Sequence, residues 1–180
     1  MNTLDPLAAR EVAEAHDIAP RTGGPRCDAA YARLVDETDR LFRRLTVDIV
    51  FTMLEHPYGS ADELIRSVRY DRVLEVTSVA WERDRPHPVM GCKVGGAYDR
   101  FRAEHDVLGH AYLGVGFDRD GEYATWQFQE QFHSPLARRA LATELHAEHC
   151  VRWTTGELPE HKAVLLDERV VKASRTGLPR

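Results

Sequence analysis

The sequence predicts a mainly α domain (α+β) with a small, two-stranded β-sheet. Apolar residues recur at helical spacing through most of the 180 residues. Only two short runs, near residues 47–53 and 73–80, read as strands. Caps and Pro/Gly punctuation separate the helical runs.

Taken in order, Asp5-Pro6 starts a short helix through His16, and Pro20 to Pro25, with Gly23-Gly24 inside, reads as a linker. Residues 1–26 are therefore expected as an N-terminal extension, and 27–180 as a single metal-binding catalytic domain. From Asp28 to Leu45 the positions Tyr31, Leu34, Val35, Leu41, Phe42 and Leu45 make an amphipathic helix. Val47, Ile49, Phe51 and Met53 alternate with Asp48 and Thr52, a strand. His56-Pro57-Tyr58-Gly59 turns the chain, and Ser60 to Glu63 is a capping box opening a helix to about Tyr70. Val73 to Ala80 is the second strand, and Trp81 to Gly96 a long loop of the kind that covers functional sites. Tyr98, Phe101, His105 and Leu108 form one helical stripe, ending near Gly109. A polar turn over Phe117 to Glu122 leads into a helix to His133. Ser134-Pro135 then caps a helix running to about Trp153. The stretch from Pro159 to Ser174 reads as a last helix, with Gly177 and Pro179 beyond it.

Composition narrows the function classes. Hydrophobic content of 43% with 29% charged residues is ordinary for a globular chain. A net charge of −5 argues against a nucleic-acid surface. Cys27, Cys92 and Cys150 form neither a disulfide framework nor a Cys-x-x-Cys pair. No run reads as a signal segment or a membrane span, so the expected address is the cytoplasm.

The chemistry concentrates in His105-Asp-Val-Leu-Gly-His110. On a regular helix these imidazoles would point roughly 140° apart. A helix ending near Gly109, with glycine in a left-handed conformation, would let His110 swing back. His105 faces the core, where an imidazole needs a partner, and a metal is one. Downstream, Glu144 lies on a stripe with Leu136, Ala140, Thr143, Ala147 and Val151. A carboxylate there is costly unless paired with a cation, either a metal or an arginine such as Arg138 or Arg139. His105, His110 and Glu144 are accordingly the expected ligands of a two-His, one-carboxylate centre, the set non-haem Fe(II) uses to activate O2. Asp106 is expected to orient His105. Glu122 and His149 are further candidates, as support around the ligands or for a second metal. Tyr98, Trp126, Phe128 and Phe132 are candidates for lining a pocket.

His105-Asp106-x-x-Gly109-His110, followed by Glu144 after Thr143, resembles the iron site of the pterin-dependent aromatic amino acid hydroxylases, over about residues 101–153. The resemblance implies Fe(II) held by His105, His110 and Glu144, with O2 as co-substrate. It leaves pterin unassigned. The expectation is a non-haem iron oxygenase acting on a small, possibly aromatic or amino-acid-like substrate. Zinc and a dinuclear centre remain open from ligand identity alone. The rival readings are a metal-dependent hydrolase and a non-catalytic helical module. An HD-type phosphohydrolase would pair His105-Asp106 with His56 or His87 and with Asp118 or Asp120.

Overall fold

Pro6 and Pro25 each stand in the first turn of a helix, where the missing N–H is no loss. They open α1 (Pro6–Asp17) and α2 (Pro25–Phe42), and the Asp5 carboxylate accepts from the backbone of Leu7 and Ala8 to cap α1. The computed structural model describes residues 3–82 and 85–176. The expected terminators Gly177 and Pro179 lie outside the described residues, as do two residues of the 81–96 loop.

β1 (Asp48–Thr52) and β2 (Val73–Thr77) pair in parallel, in register from Asp48 opposite Val73 to Thr52 opposite Thr77. Parallel neighbours need a crossover. Here it is α3 (Ala61–Arg66), extended by a wide π turn over Ser67–Asp71. The sequence-predicted cap is present: Ser60 Oγ accepts from the Glu63 amide, and Glu63 accepts from Gly59.

The rest is helical. α4 (Ala97–His105) runs directly into a π turn over Asp106–Ala111, and the chain leaves this helix at Gly114 in the left-handed region (φ 72°). α5 (Arg119–Gln129) is capped by Asp118, which accepts from the Gly121 amide. α6 (Pro135–Leu141), a third π turn (Ala142–Ala147) and α7 (Glu148–Thr155) make one long rod, ended by left-handed Gly156. α8 (Glu168–Thr176) follows. The last helix thus starts at Glu168, not Pro159. The residues between are held as extended chain against the Pro20–Pro25 segment, through Gly23 N to Ala163 O and Ala163 N to Arg21 O.

The main core joins α1, α2, α4 to α7 and α8. A smaller one, with Leu64, Val68, Leu74, Val76, Ala103 and Ala111, lies under the sheet. Residues 3–26 are part of this packing rather than a peripheral extension. Ala9, Val12 and Ala13 of α1 are buried in the main core. The α1 C-terminus is closed by Lys162, whose Nζ donates to the carbonyls of His16, Asp17 and Ala19 at 2.8, 2.8 and 2.9 Å. An ammonium there satisfies terminal carbonyls and complements the negative end of the helix dipole. No helix among the described residues is long and apolar enough to cross a membrane.

Candidate metal centre

The five-residue spacing of His105 and His110 is resolved by the π turn, not by a helix end. Residues i and i+5 are hydrogen-bonded neighbours in a π turn. This brings the two Nε2 atoms to 3.1 Å. Gly109 is not left-handed; the positive-φ glycines are Gly91, Gly95, Gly114 and Gly156. Its role is steric. A Cβ at Gly109 would lie 2.0 Å from Thr125 Cγ2, so glycine allows α5 to approach. One turn before Thr125, α5 presents Glu122. Its Oε2 lies 3.2 Å from His105 Nε2 and 3.4 Å from His110 Nε2. His149, from the start of α7, brings its Nε2 within 3.4 Å of the same oxygen.

The outer nitrogens fix the tautomers. His110 Nδ1 is 3.2 Å from the Val115 carbonyl, which can only accept, so Nδ1 carries the proton. His105 Nδ1 is 2.8 Å from Gln129 Oε1, while Gln129 Nε2 donates to Glu104. Both imidazoles therefore turn a bare Nε2 toward Glu122. Two lone pairs and a carboxylate oxygen at these separations repel unless a cation lies among them. Ligands about 2.0–2.1 Å from one ion stand roughly 3.0–3.4 Å apart, the spacing of this group. Glu122 Oε2 is buried and accepts no hydrogen bond among the described residues, which fits an atom reserved for a cation.

Electrostatics agree with that reading. Burial opposes charge on His105, but the Glu122 carboxylate more than offsets it and pushes His105 up to about 9. Burial raises Glu122, and His149, His105 and His110 outweigh it, holding the carboxyl well below its usual range. Burial lowers His149 to about 4, so that ring is neutral at pH 7. Without a metal, a proton on His105 does the cation's work.

The third ligand expected from sequence, Glu144, lies elsewhere. Its Oε1 accepts from the Tyr31 hydroxyl and lies 3.0 Å from His87 Nε2. Backbone N–H groups of Val89 and Met90 donate to His87 Nδ1, so Nε2 carries the proton and donates to Glu144. The compact ligand group among the described residues is His105, His110 and Glu122. The physical reason is that the α6–α7 rod is buried on several sides. Leu145, His146, His149 and Cys150 line a recess beside Glu122, while Glu144 and Glu148 face the polar cluster of Tyr31, His87 and His161.

Other expectations also shift. Gln129, not Asp106, orients His105. Tyr98 packs on His87 and His161, and Trp126 stacks on His146 at 3.9 Å. Phe128 stacks on Tyr112, and Phe132 packs edge-on to Phe128 and is partly exposed. None of the four lines the recess. The aromatic rings near the centre are Phe117, edge-on to His110, and Tyr123 and Trp153 in the recess wall. The HD-type arrangement is not formed. His56 is exposed, His87 is committed to Glu144, Asp118 caps α5, and Asp120 pairs with Arg119.

The recess beside Glu122 and His149 has a volume of ≈ 10 Å³, room for about one water molecule. Arg119 and Trp153 also border an open depression of ≈ 640 Å³ walled by Gly114–Gly116 and Asp118–Gly121. Compared with protein-family models, curated proteins and solved structures, the chain matches none.

Proposed function

We propose that this chain is a mononuclear non-haem metalloenzyme that uses Fe(II) and O2 to oxidise a small substrate, with His105, His110 and Glu122 as the metal ligands. The observation that carries the reading is the convergence of two bare Nε2 atoms and an unpartnered carboxylate oxygen within 3.1–3.4 Å. Two imidazoles and one carboxylate suit Fe(II), which supplies one-electron chemistry toward O2 when bound. The resemblance to the aromatic amino acid hydroxylases supports iron through its two histidines. Glu122 replaces the Glu144 it implied, and pterin has no residues assigned to it.

The chain's own residues do the positioning. Gln129 and Val115 hold both imidazoles in the metal-binding tautomer, and the Gln129–Glu104 bond keeps the amide from turning over. His110 and Glu122 are nearly sealed from solvent, which strengthens their hold on a cation. The open depression next to Arg119 and Trp153 is the space in which substrate would approach.

A zinc hydrolase is the second reading, favoured by the recess with room for one water beside Glu122. Anaerobic loading with Fe(II), then O2 uptake in a screen of small aromatic and aliphatic acids, separates the two. Uptake that needs Fe(II) and vanishes in Glu122→Ala supports the oxygenase. A stoichiometric Fe(II) protein inert to O2 throughout, whose zinc form hydrolyses model esters, would replace it with the hydrolase.

A further inference from the structure

Two side chains, Arg119 and Trp153, stand between the metal centre and the open depression, and each belongs to the wall of both spaces. Arg119 lies one turn before Glu122 on α5, and Trp153 one turn after His149 on α7, so each shares a helix face with its neighbour. The two helices meet where His149 Nε2 comes within 3.4 Å of Glu122 Oε2. The spaces on either side differ greatly in size. The recess on the metal side, ≈ 10 Å³, has room for about one water. The depression outside, ≈ 640 Å³, is large enough for a small organic molecule. Of the three metal ligands, Glu122 alone lines the recess.

The partition is held in place. Arg119 Nε donates to Asp120 Oδ1 at 3.2 Å, and the Leu4 amide donates to the same oxygen at 3.4 Å. Leu4 is itself buried in the recess wall. Trp153 is 43% exposed, so its indole divides recess from solvent rather than filling the core. Part of the depression's own wall is fixed backbone: a Cβ at Gly121 would stand 2.1 Å from the Gly116 carbonyl oxygen.

We infer that Arg119 and Trp153 form a size filter that decides which molecules reach the metal. The inference rests on the metal-binding reading above and narrows its substrate. A molecule keeps its body in the depression and passes between the two side chains only an end about as wide as one water molecule. Dioxygen and a terminal methyl group meet that limit, and the edge of an aromatic ring does not. The substrate class that fits is therefore one oxidised at a slim aliphatic end.

Co(II) is the probe, because its visible absorption changes when an exogenous ligand enters its coordination sphere. The full-length wild type, Trp153→Ala and Arg119→Ala are loaded with Co(II) and titrated with two ligands. One is azide, a linear ion one atom wide; the other is 4-phenylimidazole, whose donor nitrogen lies in a ring. Azide should shift the absorption of all three proteins. 4-Phenylimidazole should leave the wild type unchanged and bind each variant at least about tenfold more tightly. The two replaced side chains are partly exposed and lie on different helices, so a variant that misfolds leaves the other to decide. 4-Phenylimidazole bound equally by wild type and variants, or refused by all three while azide binds, would overturn the filter and leave the metal centre standing. A Co(II)-loaded wild type that does not respond to azide would also overturn it, because the recess would then not lead to the metal. A wild type that binds no Co(II) would overturn the metal-binding reading and the filter together.

Discussion

Gly109→Ala tests the packing that assembles the centre. The added Cβ would stand 2.0 Å from Thr125 Cγ2 and 3.2 Å from Thr125 Cβ. Thr125 is fully buried, and its Oγ1 donates to the Gly121 carbonyl at 2.9 Å, so turning aside would break that bond. Opening 2.0 Å to the 3.4 Å of ordinary contact requires about 1.4 Å of movement between the α4 helix and α5. Overpacking of this kind costs about 1–3 kcal/mol. Glu122 rides on α5 three residues before Thr125, and ligand distances tolerate only about 0.2 Å. Gly109→Ala should therefore lower stability by that amount and weaken metal binding by more than about tenfold. Thr125→Ser deletes the clashing methyl and keeps Oγ1, at a cost of about 0.8 kcal/mol on its own. The double variant should recover most of the lost stability and affinity, a favourable coupling of about 1–2 kcal/mol. Urea denaturation of the metal-free forms and Fe(II) titration of all four proteins supply the cycle. Wild-type stability and affinity in Gly109→Ala, or a double variant no better than the single, would refute the steric role.

Lys162→Met should destabilise the fold by about 3 kcal/mol while sparing metal binding, since it uncaps the α1 carbonyls; thermal melting and metal titration check this. Glu144→Gln should keep one metal per chain, because the amide oxygen still accepts from Tyr31 and His87, whereas Glu122→Gln should lose more than about 100-fold in affinity. Stability should fall on the acid side of neutrality. Burial and then Lys162 lower His16 to about 4, and burial and then Arg175 lower His146 to about 3, both below the unfolded value of 6.5. The unfolded chain then binds more protons as pH drops through 6.5 toward 4. These two groups together remove up to about 3 kcal/mol per pH unit in that window. Denaturation midpoints between pH 7 and 4.5 measure the slope, and a profile shallower than wild type in a His16→Gln, His146→Gln double variant would confirm their share, the remainder coming from His149 and His133, which burial also lowers.

The helical fold, the strand pair and several helix starts were legible because each rests on local chemistry: Pro6, Ser60 and Pro135 mark starts that the structure keeps, whereas α2 and α5 begin earlier than expected, at Pro25 rather than Asp28 and at Arg119 rather than Glu122. The pairing of His105 with His110 was legible for the same reason, although the mechanism was not. A spacing of five suits a π turn, and 3.6-residue reasoning replaced that turn with a break at Gly109. The same arithmetic misplaced Glu144. The rod from Pro135 to Thr155 also contains a π turn and is buried on several sides, so a carboxylate on an apolar stripe did not reveal which neighbour it faced. Glu122 was visible as a candidate. Gln129 was missed, yet Glu122, Thr125 and Gln129 stand at offsets 0, 3 and 7 on α5, the stripe that meets the α4 helix. The extended residues before α8 and the Lys162 cap depend on contacts far along the chain, which no local pattern encodes.

The most direct test is the iron content of protein loaded anaerobically with Fe(II), measured on the wild type and on His105→Ala, His110→Ala, Glu122→Ala and Glu144→Gln, with circular dichroism confirming the fold. The account predicts about one iron per chain in the wild type and in Glu144→Gln, and little in the other three. No iron in the wild type, or iron retained in Glu122→Ala and lost in Glu144→Gln, would contradict it.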